Sequence, residues 1–190
     1  MRLKRSFFLR PPDIVARELL GKSLFFNGKH VIIVETEAYG SDDPACHSFR
    51  GKTPRNEPMF KTGGRSYVYF VYGVHYCFNV VTEEAGCASA VLIRGGIPLN
   101  GLEEIRKRRN NGGPAERILI GPGNFCRGLG IGKEENDLDL CRTTHLYFYS
   151  RKGKPVSQEV GISRRIGISR GQERLWRFYI KDASLASSIN

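Results

Sequence analysis

The dipeptide Asn27-Gly28 stands between two runs rich in β-branched and aromatic residues, SLFF at 23–26 and HVIIV at 30–34. A two-residue connection between antiparallel strands needs positive φ at both central positions, and Asn-Gly adopts that geometry more easily than most pairs. The sequence therefore predicts a β-hairpin at this point. The two strands of a hairpin are antiparallel, so this feature limits the chain to folds that contain an antiparallel sheet. A hairpin also needs further strands or helices to bury its apolar face.

A second hairpin is predicted in residues 66–82, SYVYFVYGVHYCFNVVT, where aromatic and β-branched residues continue on both sides of a single glycine. If the turn centres on Val74, Tyr72 lies at the tip of the hairpin and faces Tyr76. In the same register, Tyr69 faces Asn79 across the two strands.

The remaining pattern predicts helices over residues 13–20 and 98–109, and a short helix that opens in GPGNFCRGLGI at 121–131. Further strands are predicted at residues 88–95, 145–150, 164–169 and 176–180. No repeat or linker divides the chain, so residues 1–190 are expected to form one domain. We expect an α+β fold with an antiparallel or mixed sheet, a protruding β-hairpin and flanking helices.

Strict alternation along the second strand would place five residues on one face of it, namely Val31, Ile33, Glu35, Glu37 and Tyr39. A carboxylate and a tyrosine beside an apolar run are expected where a strand end opens on a functional site. The segment that follows, residues 40–65, is polar, rich in glycine and long for a loop. It carries His47, and loops of this length are usually functional or disordered.

The chain carries a net charge of +11 and has a pI of about 9.7, which favours a polyanionic partner such as nucleic acid or, second, an anionic membrane surface. Its 40% hydrophobic residues indicate a globular protein rather than a disordered one. No apolar stretch is long enough for a membrane span, and residues 1–10 do not form a secretory signal. The five cysteines contain no C-x-x-C pair, which argues against a zinc site and against a disulfide framework.

Taken singly, the candidate residues have structural explanations. A glutamate on a strand usually faces solvent, an aromatic residue at a hairpin tip usually packs half-exposed, and a lone histidine is usually structural. Arg94 could belong to an ordinary salt bridge, and the basic run 106–109 could be the solvated face of a helix. Asn79 is unusual because asparagine is depleted within strands.

Taken together, six strings in one order carry a specific resemblance: VETEAY (34–39), ACHS (45–48), TPRN (53–56), YVYFVYG (67–73), VLIRGG (91–96) and GPGNFCRGLGI (121–131). This series closely resembles the 3-methyladenine (alkyladenine) DNA glycosylases. The resemblance runs from about residue 19 to residue 131, with weaker similarity at RRIGIS (164–169) and LWRFYI (175–180).

The resemblance implies a monofunctional enzyme that flips an alkylated or deaminated purine from duplex DNA and hydrolyses its N-glycosidic bond, leaving an abasic site. By position, Glu37 matches the general base, and Arg94 matches a second residue near the reacting centre. Tyr72 matches the side chain that is inserted into the duplex. The residues that match the base-binding pocket are Tyr39, His47, Tyr69 and Asn79.

Phosphate contacts are expected from the basic helix and from the helix N-terminus that follows it, specifically from Arg106, Arg109 and Gly123. No cofactor and no metal are expected. The expected partner is double-stranded DNA that contains damaged purines, bound by a monomer. The protein is expected in the cytoplasm, associated with the nucleoid, if its source is bacterial, and in the nucleus if it is eukaryotic.

Three other classes of protein share some of these sequence features. A glycosylase with lyase activity would need an amine nucleophile, and no motif singles out a lysine such as Lys61. A zinc nucleobase deaminase is rejected because its H-x-E and P-C-x-x-C motifs are absent. A non-catalytic basic DNA-binding module would explain the charge and the aromatic residues, but not a carboxylate and an asparagine in a site lined by tyrosines.

Overall fold

The computed structural model describes residues 1–151 and 159–182, and within these ranges it contains one eight-stranded antiparallel sheet with five flanking α-helices. This arrangement confirms the α+β prediction. The strands are β1 (Ser23–Phe26), β2 (Lys29–Tyr39), β3 (Ser66–Val71), β4 (His75–Thr82), β5 (Ser89–Pro98), β6 (Leu146–Tyr149), β7 (Val160–Ser163) and β8 (Arg177–Ile180). The helices are α1 (Arg5–Phe8), α2 (Pro12–Leu19), α3 (Leu102–Arg109), α4 (Ala115–Ile118) and α5 (Pro122–Leu129).

The predicted Asn27-Gly28 turn joins β1 to β2, and its two residues have φ values of 45° and 81°. The main path of the sheet runs β3-β4-β5-β2-β1-β6, while β8 pairs with both β2 and β7. The long strand β2 therefore lies at the centre. It pairs with β5 along one side and with β1 and then β8 along the other.

The main core lies between the sheet and the helices. Helix α2 buries Val15, Ala16 and Leu19 completely against β2 and β5, whereas Leu20, which the helical spacing predicts on the same face, follows the end of the helix and is half-buried. Full burial of a valine or leucine side chain contributes about 1.5–3 kcal/mol. None of the helices in the described ranges combines the length and the apolar character that crossing a bilayer demands.

A pair of β-bulges interrupts β2 and β5, and the prediction that odd-numbered residues of β2 share one face was wrong. The register passes from Ile33↔Gly96 to Glu35↔Gly95 and then to Thr36↔Ile93. The extra residue in β2 reverses the alternation of its side chains. Ile33 therefore packs in the main core, as does Ala38 beyond the bulge, whereas Glu35 and Glu37 point to the opposite face.

The second hairpin forms as predicted, but its register differs. Val71 pairs with His75 and Tyr67 pairs with Asn79, so Tyr69 lies opposite Cys77 rather than Asn79. The turn falls earlier than expected because Tyr72 and Gly73 both adopt positive φ, 52° and 67°, and together form the tight connection.

The strand predicted at residues 164–169 was wrong. The strand in this region is β7, which ends at Ser163 opposite Arg177. Beyond it the chain bends: Gly167 has a φ of 76°, and the amide of Ile166 bonds to a carboxylate instead of a neighbouring strand. The helix predicted over residues 98–109 also begins later, at Leu102, because β5 continues to Pro98.

Candidate active site

A cavity of about 720 Å³ opens where the second hairpin meets the ends of β2 and β5. This volume falls within the range of small-molecule binding sites. The structure brings most of the predicted site residues to its lining, namely Tyr39, His47, Tyr69, Tyr72, Asn79, Arg94 and Gly123. Residues 166–170, in the bend that follows β7, close one side of the cavity.

Glu37 lies directly behind the cavity lining and is completely buried. Its Oε1 accepts a hydrogen bond from the Ile166 amide at 2.8 Å. Its Oε2 accepts hydrogen bonds from the Tyr39 hydroxyl at 2.8 Å and from Nη1 of Arg94 at 3.3 Å. These neighbours are all donors, so they satisfy an anionic carboxylate. Tyr39, Arg94 and Ile166 each border the cavity, so a single layer of residues separates Glu37 from a bound molecule.

Arg94 connects two carboxylates. It occupies the bulge in β5, and its Nε donates to Oε1 of Glu35 at 3.0 Å while its Nη1 reaches Glu37. Glu35 in turn accepts a hydrogen bond from Nε of Arg177 at 2.7 Å. Burial lowers the pKa of Arg94, but Glu37 and Glu35 outweigh that effect and the pKa rises. The guanidinium therefore stays charged at the edge of the cavity.

Aromatic rings form the walls of the cavity. The rings of His47 and Tyr69 meet edge to face with centroids 4.5 Å apart, and Nδ1 of His47 lies 3.0 Å from the Tyr67 hydroxyl. Burial and then the Glu37 carboxylate raise the pKa of Tyr39, and burial raises the pKa of Tyr69. Burial also raises the pKa of Tyr67 to about 12. The tyrosines are therefore neutral and can donate hydrogen bonds.

Asn79 is 4% exposed and borders the cavity from β4. Its Nδ2 donates to the backbone carbonyl of Tyr67 at 2.9 Å, across the β3–β4 ladder. This bond explains how a strand tolerates an asparagine and fixes the direction of the amide. The side-chain oxygen is left as the polar group that can face an occupant of the cavity.

The tip of the second hairpin projects beside the cavity mouth. Tyr72 is 87% exposed and Val74 is 68% exposed, which is unusual for apolar side chains. The positive φ of Tyr72 is also uncommon for an aromatic residue. An exposed aromatic side chain on a projecting turn can enter a gap between stacked bases.

Of the predicted phosphate contacts, the structure brings only Gly123 to the cavity. Arg106 and Arg109 lie on α3, outside the cavity lining. Nη1 of Arg106 bonds to Glu103 at 2.8 Å, and Nε of Arg109 bonds to the Ile118 carbonyl at 3.3 Å. Both residues therefore have partners within the helical layer.

Sequence reasoning missed three residues that shape the cavity. Arg55 donates to the Phe70 carbonyl at 2.8 Å, and its guanidinium lies 5.5 Å from the centre of the Tyr69 ring. Ile166 supplies an amide to Glu37, and Arg165 lies buried behind Tyr39. Arg55 falls inside the TPRN string, and the other two fall inside RRIGIS, so the strings marked the segments without revealing the contacts.

We expect the pKa of His47 to lie below the ordinary value of 6.5, because burial and the nearby Arg55 cation both disfavour its protonated form. Histidine NMR titration of the protein and of Arg55→Met measures this, and the substitution should raise the pKa. Since the pKa is depressed in the folded state, His47 contributes stability above pH 6.5 that is lost as the pH falls. A value at or above 6.5 in the unmodified protein would contradict the expectation.

An enzyme that acts on a base turned out of duplex DNA needs a closed pocket for the base, a chemical group within reach of it and a side chain that enters the duplex. The cavity, the buried Glu37 carboxylate and the exposed Tyr72 correspond to these features, which DNA glycosylases share with other base-flipping enzymes. Residues 6–184 match the sequence profile of the family described as Methylpurine-DNA glycosylase (MPG). The chain therefore belongs to the methylpurine-DNA glycosylase family, whose members act in DNA repair.

Close relatives support the same family. A protein of Carboxydothermus hydrogenoformans is 47% identical over 98% of this chain and 99% of its own length. A protein of Rhodopseudomonas palustris is 44% identical over 98% of this chain and 90% of its own length. A protein of Wolbachia pipientis is 48% identical over 93% of this chain and 88% of its own length. The names of all three contain the words 3-methyladenine DNA glycosylase.

Proposed function

We propose that the protein removes alkylated and deaminated purines from duplex DNA by hydrolysis, using Glu37 as the general base. The observation that carries this proposal is the buried Glu37 carboxylate, which bonds to three groups of the cavity lining. Glu37 takes a proton from a water molecule while the water oxygen bonds to C1′ of the sugar. The N-glycosidic bond breaks, its electron pair leaves with the purine, and an abasic site remains.

The proposed step requires water to reach a carboxylate that its neighbours now cover. Of the three hydrogen bonds to Glu37, the one from Arg94 is the longest at 3.3 Å, so water can replace it most easily. Arg94 would then hold the water and the sugar-phosphate near C1′. The negative charge of Glu37 also stabilises the positive charge that develops on the sugar ring.

The substrate class follows from the cavity and from the names of the relatives. Tyr39, His47 and Tyr69 offer ring faces and edges to a flipped base, and Asn79 is proposed to crowd the 2-amino group of normal guanine. An N3- or N7-alkylated purine carries a positive charge, which aromatic faces attract. It also leaves as a neutral molecule, so its removal needs little acid catalysis. We therefore propose 3-methyladenine as a substrate, in keeping with the names of the relatives.

Binding to the DNA backbone is proposed to rest on the net charge of +11, with Arg106, Arg109 and Gly123 among the phosphate contacts. We also propose that the protein acts as a monomer. No lysine of the described residues borders the cavity, which supports hydrolysis rather than formation of a Schiff base.

The proposal is tested by incubating the protein with duplexes that carry one 3-methyladenine, 7-methylguanine, hypoxanthine or ethenoadenine each, and measuring the free base released. Release without a borohydride-trapped covalent adduct is expected for at least one alkylated purine. Binding without release of any of these bases would overturn the proposal, and trapping of an adduct would overturn the hydrolytic step.

Tyr72→Ala should weaken binding to a lesion-containing duplex by about tenfold, because stacking of one aromatic side chain on bases contributes roughly 1–3 kcal/mol. A fluorescent base analogue next to the lesion reports flipping, and its signal should decrease in parallel. Val74→Ala is the matched control, since Val74 is exposed on the same turn but is not aromatic. Equal effects of the two substitutions would exclude a specific role for Tyr72 as a wedge.

A further inference from the structure

The ion pair between Asp43 and Arg165 is fully buried, and both of its side chains are 0% exposed. Asp43 receives hydrogen bonds from both terminal nitrogens of the guanidinium, with Nη2 lying 3.0 Å from Oδ1. The same guanidinium donates to the carbonyls of Ala38 and Gly171, each at 2.9 Å. The pair therefore joins the end of β2, the loop that carries His47 and the bend beyond β7.

The guanidinium of Arg165 covers one face of the Tyr39 ring, with its central carbon 4.7 Å from the ring centre. Tyr39 borders the cavity, whereas Arg165 is wholly buried and does not. The guanidinium is therefore separated from an occupant of the cavity by the thickness of this ring. A base stacked on the ring would lie roughly 8 Å from the charge.

We propose that the Asp43–Arg165 pair sets the preference of the cavity for cationic over neutral purines. This inference rests on the proposed function, in which Tyr39 contacts the flipped base. An aromatic face attracts a cation through its quadrupole, but a second cation on the opposite face repels the first. Asp43 cancels most of that repulsion. The carboxylate thus allows Arg165 to support the Tyr39 ring without driving a charged base away.

Other charged groups near the cavity do not replace this function. Arg94 is balanced by Glu35 and Glu37, and Arg55 lies on the other wall, over Tyr69. Arg170 also lines the cavity, but it is exposed to solvent, which screens its charge. Behind Tyr39, Asp43 is the carboxylate that contacts the Arg165 guanidinium. Removal of its charge leaves an uncompensated cation behind the ring.

The two ends of the pair can be tested separately because an electrostatic role predicts different outcomes for them. Asp43→Asn leaves Arg165 charged and should lower the ratio of cationic-base to neutral-base affinity by about tenfold. Arg165→Met removes the cation and should not lower this ratio. A purely structural role would change the ratio in the same direction in both variants, or in neither.

The ratio is measured with two duplexes whose bases have the same shape. One carries 7-methylguanine, a cation, on a 2′-fluorinated sugar that slows cleavage, and the other carries the neutral 7-methyl-7-deazaguanine on the same sugar. Competition binding with the same protein sample gives the ratio of the two dissociation constants. Loss of folded protein affects both affinities equally and cancels in the ratio.

A matched control is the neighbouring pair of Asp42 and Arg174. Its atoms lie 2.9 Å apart, and the Arg174 guanidinium lies over Trp176 rather than Tyr39, at 4.5 Å. Asp42→Asn should leave the ratio unchanged. Asp43→Asn is replaced, if it does not fold, by two other variants. One is the double variant Asp43→Asn/Arg165→Met, which has lost both charges, and the other is Arg165→Met alone. Neither variant should lower the ratio of the two affinities.

Failure of the inference is distinguishable from failure of the proposed function. If the unmodified protein releases none of the four bases named in the excision test, the proposed function fails. If the unmodified protein binds both modified duplexes, either of two results would overturn the inference. One is a ratio of affinities in Asp43→Asn equal to that of the unmodified protein. The other is a lowered ratio in Arg165→Met or in the double variant.

Discussion

Glu37→Gln should lower the single-turnover rate of base release on the order of a thousandfold, because a positioned general base contributes about 10²–10⁴-fold to a rate. Glutamine has nearly the same shape but cannot take the proton from water. The substitution also removes the negative charge of Glu37 next to the positive charge that develops on the sugar. Binding to a lesion-containing duplex should change by less than about threefold, since Glu37 lies behind the cavity lining.

The substitution has a structural cost that must be measured separately. All groups around Glu37 are donors, so the new amide nitrogen faces at least one of them without an acceptor. Leaving a buried polar group unsatisfied costs about 1–3 kcal/mol, and urea unfolding will report this loss. Glu84→Gln, at an exposed position, is the control. Near-normal base release by a folded Glu37→Gln protein would refute the general-base role.

Arg94→Met should destabilise the protein by about 3–5 kcal/mol, because removal of one member of a buried ionic network leaves the other charges uncompensated. Arg94 is the cation that contacts both Glu35 and Glu37. For a chain of this size the loss corresponds to a decrease in melting temperature of roughly 10 °C, which thermal unfolding will measure.

Arg177→Met is the matched control for this prediction. Nε of Arg177 also donates to Oε1 of Glu35, and Arg177 lies opposite Glu37 in the β2–β8 ladder, but its side chain forms no ion pair with Glu37 and is 22% exposed. Its removal should destabilise the protein by less than half as much as removal of Arg94. If both substitutions cost the same, the bridge between the two carboxylates does not account for the stability.

The features that could be predicted from the sequence are those that depend on near neighbours in the chain. The Asn27-Gly28 turn follows from backbone conformations that two residues adopt by themselves. The buried face of α2 follows from the spacing of Val15, Ala16 and Leu19. The α+β class follows from the sum of such local signals.

The face on which the carboxylates of β2 lie could not be predicted, because it depends on where two strands lose register. The bulges at Val34 and Arg94 arise from pairing between segments about sixty residues apart, and no local pattern marks them. The resemblance of VETEAY to a family motif pointed to Glu37, but the alternation argument placed it on the wrong face. The motif was therefore the more informative of the two signals.

The contacts that the RRIGIS segment makes with the site could not be predicted from the sequence either. Its alternating pattern suggested a strand, yet Arg165 is buried in an ion pair and the Ile166 amide bonds to Glu37. A buried arginine looks like a surface residue in a sequence, since its burial depends on a carboxylate elsewhere in the chain. Here that partner is Asp43, 122 residues away.

The bond between the Ile166 amide and Glu37 joins residues 129 positions apart. On the ribosome, the hairpin with Tyr72 and most of the aromatic walls emerge long before residue 166 does. A chain that ends before that point lacks one of the three hydrogen bonds to Glu37, and it also lacks β8, which pairs with β2. The order of synthesis therefore completes the hydrogen bonds of Glu37 only after the hairpin and the aromatic walls have been made.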